Sequence, residues 1–134
     1  MKPYEDHLRQ YHLPPAWQQE HRYRAHLIPE DLAVPPSALP LCPTLPPLDT
    51  LPRLLGAMYV MEGSTLGGQV IARQLAKAGI PTRAYFTGYA ERTGPLLKQF
   101  CEQLGEAATP ENEDEIVLSA ARTFQYLENW LNKE

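Results

Sequence analysis

The sequence predicts an all-α fold, and three observations carry that expectation. Beyond Asp49, apolar residues recur at intervals of three and four, as one face of a helix requires. No run alternates apolar and polar residues in the manner of a half-buried strand. Eight of the fourteen prolines fall between Pro29 and Pro52, so helix-breaking residues are concentrated in one segment. At 134 residues the chain has the length of a single domain, 1–134, with one modest core.

Taken in order, residues 3–13, "PYEDHLRQYHL", predict a short amphipathic helix ended by Pro14 and Pro15. Those prolines suit the first turn of a second helix, "PPAWQQEHRYRAHLI", with Trp17, Tyr23 and Leu27 toward the core. The proline-rich segment 29–52 carries Leu32, Leu39, Leu41, Leu45 and Leu48, too many for a solvated linker. It reads as an extended strap lying on the core. The main helix follows, over 53–79, with Asp49 or Thr50 as its cap, Pro52 in its first turn and Gly79 as its stop. Leu55, Met58, Tyr59, Glu62, Leu66, Val70 and Arg73 follow its period. A further helix runs from Pro95 to about Ala107. A last one starts after Thr109 and Pro110, with Ile116, Ala120, Phe124, Leu127 and Leu131 as its apolar face.

A net charge of −4 argues against a nucleic-acid binder, which would carry a basic face. No apolar run is long enough for a membrane span. The opening "MKPYEDHLRQ" lacks the apolar centre of a signal peptide. Cys42 and Cys101 are isolated; they suit a reducing compartment, and sequence leaves open whether they pair. A soluble, cytoplasmic protein is expected.

One stretch conflicts with its surroundings. "EGSTLGGQ", residues 62–69, puts Gly63, Gly67 and Gly68 inside the main helix, where each glycine costs about 1 kcal/mol relative to alanine. A Walker-type loop would need Gly-Lys-Ser/Thr, and Gln69 follows Gly68. The dinucleotide fingerprint needs a different spacing after a strand. Two readings remain. The glycines bring two helix backbones together, or they clear a face, with a kink that Gly/Ser pairs permit, so that a flat ligand can lie on the main chain.

"LGAMYVMEGSTLGGQVIARQL" resembles the distal helix of heme oxygenases, especially the bacterial, phytochrome-associated type. "AYFTGYAERTGPLLKQF" and "AARTFQYLENWL" resemble the next two segments of that family in the same order, and "RYRAHLIPEDL" is similar to its upstream basic stretch. The resemblance implies a heme oxygenase-like all-α fold, N-terminally shortened, in which heme is both substrate and cofactor. It implies ring opening with O2 and electrons from ferredoxin or a flavoprotein reductase, giving biliverdin, iron and CO. On this reading Gly63 and Gly67 contact the ring and steer oxygen, flanked by Glu62 and Gly68. Ser64 stands where some relatives hold an aspartate that organises distal water. Lys98, and secondarily Arg92, meet the propionates, and Phe124 matches an aromatic near the ring.

The family's opening helix, with its axial histidine, has no matching position here. Among His7, His12, His21 and His26, no pair has metal-site spacing. His7 is the favoured iron ligand because it lies on a short amphipathic helix, and His12 is the second choice. Without the opening helix the glycine face would lack a lid, so a homodimer burying that face is expected. The alternatives to an enzyme are a non-catalytic heme- or bilin-binding protein and a degenerate dimeric helical scaffold.

Overall fold

The computed structural model describes residues 1–41, 45–81 and 83–132. The fold is all-α: among the described residues there is no strand. The described residues form six α-helices, α1 Lys2–Leu8, α2 Leu27–Leu32, α3 Leu51–Lys77, α4 Ala84–Thr87, α5 Thr93–Ala107 and α6 Glu113–Leu131, with short 3-10 turns between some of them.

The chain organises around α3. Its start is fixed by Thr50, whose hydroxyl oxygen accepts the Arg53 N–H at 3.3 Å, and Pro52 sits in the first turn. Gly79, in the left-handed region at φ +78°, turns the chain away beyond its end. In between, the helix is unbroken through the glycines for 27 residues.

The first half of α3 builds the core. Leu54, Leu55, Ala57, Met58 and Met61 pack with Tyr4 and Leu8 of α1, Trp17, Leu48, Phe100 of α5 and Ile116 of α6. A fully buried side chain of this kind contributes about 1.5–3 kcal/mol. The Trp17 and Phe100 rings meet with centroids 5.7 Å apart.

Gly56 lets α6 lie close on α3. A β-carbon there would collide with the Ile116 carbonyl and sit 2.7 Å from the Ser119 β-carbon. The Ser119 hydroxyl donates to the Arg53 carbonyl at 2.5 Å, and the Thr50 hydroxyl donates to Glu115 at 2.8 Å. Thr50 meets Glu115, Arg53 meets Ser119 and Gly56 meets Ala120.

Four expectations need correction. The first helix stops at Leu8 rather than reaching residue 13. The second becomes two 3-10 turns, Pro15–Trp17 and Gln19–His21, around a left-handed Gln18, followed by α2. After the break at Gln18, the buried Glu5 carboxylate accepts the backbone N–H of Arg24 at 2.7 Å and of Ala25 at 3.1 Å, so these donors are not available to a helix continuing into α2. The strap is likewise not wholly extended, since α2 runs into it and the 3-10 turn Pro36–Ala38 falls within it. Leu48 is buried, but Leu32 and Leu41 are exposed. Cys42 lies outside the described residues; Cys101 is exposed as a free thiol. The last helix buries Ile116, Ser119 and Thr123, while Phe124 and Leu131 of the expected apolar face are exposed.

Candidate functional site

Tyr59, Gly63, Leu66, Gly67 and Val70 are spaced by four, three, one and three, which places them on one side of α3. The three large residues are exposed, Leu66 by 52%. Around the place where a β-carbon would stand on Gly63 or Gly67, no atom of the described residues beyond the helix's own backbone and the adjacent residues lies within 4 Å. The other glycines of the helix differ. Gly68 packs on the short helix α4, where an added β-carbon would lie 3.0 Å from the Phe86 carbonyl oxygen, and Gly56 holds α6. The glycines therefore divide into two that the fold uses and two that it leaves bare.

Ser64 is exposed beside this face and donates its hydroxyl to the Met61 carbonyl at 2.6 Å. Thr65, on the buried side, does the same to the Glu62 carbonyl at 2.6 Å. Glu62 itself does not reach the open face. It is 1% exposed and faces inward, where Arg22 Nη1 approaches its carboxylate at 3.2 Å. The Tyr89 hydroxyl lies 2.7 Å and 3.0 Å from its two oxygens and donates to the carboxylate. Burial pushes the Glu62 carboxyl above the usual range, against the pull of Arg22, Tyr89 and Arg24. Burial and then the Glu62 charge push the Tyr89 phenol up strongly. The Tyr4 phenol, fully buried nearby, is raised for the same two reasons in the same order.

Neighbouring groups hold this internal cluster. Arg24 donates to the Met61 carbonyl at 2.9 Å, and its guanidinium lies 5.3 Å and 5.4 Å from the ring centres of Tyr89 and Tyr85. Arg22 donates to the Trp17 carbonyl at 2.8 Å and to Gln99 at 2.5 Å. Tyr89 is aimed by the turn before it: Gly88 takes φ +67°, and the Tyr89 N–H donates to the Thr93 hydroxyl at 3.0 Å. The open stretch of α3 thus has a fixed polar floor on its inner side.

The remaining candidates are spread more widely. Lys98 is exposed on α5, and Arg92 is exposed at its N-terminus. Phe124 stands 60% exposed on α6, so it is not a core residue. His7, half-buried on α1, places Nε2 3.1 Å from the Leu48 carbonyl. His12 is exposed in a shallow groove with Arg9, Gln19 and Tyr23, none of them on α3. Among the described residues no three His, Cys, Asp or Glu side chains gather as a metal centre would require. No helix among them is long and apolar enough to cross a membrane.

Arg22 and Tyr89 were not legible as partners of Glu62. A carboxylate on the apolar period of a helix signals that some cation must meet it, but that signal does not say which one. Compared with protein-family models, with curated proteins and with solved structures, the chain matches none.

Proposed function

We propose that the chain is a heme oxygenase, taking heme on the open face of α3 and opening its ring to biliverdin with O2 and electrons from a ferredoxin or flavoprotein reductase. The observation that carries this reading is the open space over Gly63 and Gly67. Each costs about 1 kcal/mol in a helix interior, and no contact among the described residues requires either to be glycine. A partner that lies on bare backbone would supply the compensation. A planar macrocycle with apolar faces suits a surface bordered by Tyr59, Leu66 and Val70.

Heme, when bound, supplies the redox-active iron. The chain's residues orient and exclude. Bare backbone at Gly63 and Gly67 admits the ring to van der Waals contact, where any side chain would hold it off. Ser64, whose proton is committed to the Met61 carbonyl, keeps lone pairs to accept from water. Lys98 and Arg92 offer surface cations for carboxylates, worth about 0–1 kcal/mol each when exposed. His7, or His12 as the second choice, would hold the iron. With Nε2–H donating to Leu48, His7 would present the lone pair of Nδ1.

The exposed Tyr59, Leu66 and Val70 favour a second reading, a homodimer in which the bare backbone accepts another copy's helix. Heme titration followed by aerobic turnover with ferredoxin separates the outcomes. A Soret band that gives way to a green pigment identified as biliverdin is expected. A persistent Soret band would mean a non-catalytic binder, and none at all would leave only the scaffold. Gly67→Leu should abolish the Soret band while leaving the helical circular dichroism unchanged.

A further inference from the structure

A cavity of about 380 Å³ opens between the start of α1, the turn leading into α2, the strap and the last turns of α6. It shares no lining residue with the glycine face, and its volume lies in the range of about 300–1,000 Å³ typical of small-molecule sites. Ile28, Pro29, Leu39, Leu41, Leu127 and Trp130 form its apolar walls. Lys2, Arg9, His26 and Glu5 are the titratable side chains around it.

These charges are not equivalent. The Glu5 carboxylate is buried and spent on the backbone N–H groups of Arg24 and Ala25, so it closes the floor instead of facing a ligand. Lys2 and Arg9 lie at the surface. They reach Asp6, outside the walls, at 2.7 Å and 3.3 Å through pairs exposed on both sides. Exposed pairs of this kind exchange partners at little cost. The Arg9 guanidinium also lies 4.3 Å from the centre of the Tyr23 ring, outside the walls, a contact as exchangeable as its pair with Asp6. The result is an apolar chamber with two exchangeable cations at its rim.

We propose that this cavity binds a small amphipathic carboxylate of the medium-chain fatty acid class. The tail lies against Ile28, Leu39, Leu127 and Trp130, and the head is held by Lys2 and Arg9. An amine-headed ligand would meet like charge at the rim. An alcohol-headed ligand would forgo the charge-assisted bonds that a carboxylate gains from ammonium and guanidinium.

Calorimetric titration of the full chain with decanoate, decanol and decylammonium, below their micelle concentrations, tests the assignment. Decanoate should bind one per chain and more tightly than either of the others. The double variant Lys2→Gln, Arg9→Gln should weaken decanoate about tenfold, as loss of charge-assisted contacts implies. Leu41→Asp, at an exposed wall position, should weaken it as well, with circular dichroism reporting that each variant remains folded. Leu66→Asp, on the open face of α3, should leave the affinity unchanged. Absence of decanoate binding, decylammonium binding as tight as decanoate, or loss of affinity in Leu66→Asp but not in the cavity variants would overturn the proposal.

Discussion

Glu62 occupies a core position with a carboxylate, and that choice has a measurable consequence. Burial raises its pKa above the ordinary value of about 4.3, and Arg22 and Tyr89 reduce the shift without cancelling it. The folded chain then holds this proton more tightly than the unfolded chain does. The resulting contribution to stability is fully present below the ordinary carboxylate pKa and is lost as pH rises through the raised one. Urea unfolding of the wild type and of Glu62→Gln between about pH 4 and about pH 7 should therefore show the wild type losing ground to the variant as pH rises. A constant difference would mean that the carboxylate titrates normally. Tyr89→Phe, which removes a donor to the carboxylate, should cost about 2 kcal/mol and steepen the wild-type slope. At this scale the sequence singled out Ser64, Gly63 and Gly67 as residues needing an explanation, but not the inward turn of Glu62. Helical period places a residue on a face, and only tertiary neighbours decide whether that face is wet.

Within α3 the glycines answer to different neighbours, and substitution should separate them. At Gly67, where nothing stands within 4 Å, alanine should stabilise the chain by about 0.5–1 kcal/mol, because it restricts the unfolded backbone and fits an ordinary helical site. At Gly56 the same substitution drives a methyl into the Ile116 carbonyl and Ser119, and should destabilise by about 1–3 kcal/mol or more. Denaturant midpoints of the two variants should move in opposite directions. The long helices were legible because their apolar period persists over several turns: α3 was expected over 53–79 and runs Leu51–Lys77, and α5 ends at Ala107 as expected. The region before Pro29 was not, because Glu5 captures two backbone donors from nineteen or twenty residues away, a long-range contact that local propensity does not register. The buried face of α6 was misplaced for a related reason. Close approach at Gly56 favours small Ser119 and Ala120 at the contact and leaves the large Phe124 outside.

Across the whole molecule the apolar surface is unevenly distributed. The first half of α3 is enclosed by α1, α5 and α6, whereas Leu66, Val70 and Ile71 in its second half are exposed, as are Val117, Leu118 and Leu131 of α6. Contiguous apolar patches above several hundred Å² are uncommon on monomers, and a two-fold axis lets one patch cover its own copy. Light scattering coupled to size exclusion should then report twice the chain mass for the apo protein and a single chain for Leu66→Asp, while Leu41→Asp, in the wall of the separate cavity, should remain paired. The response to heme distinguishes how the face is shared. If the second copy completes a heme site, binding and association are linked, and heme must tighten the dimer by the same factor by which dimerisation tightens heme. If heme and the second helix compete for the bare backbone at Gly63 and Gly67, added heme must instead release monomers. The lid reading predicts tightening. A Leu66→Asp protein that remains dimeric would place the interface elsewhere, and a monomer at every concentration would leave the open face to ligand alone.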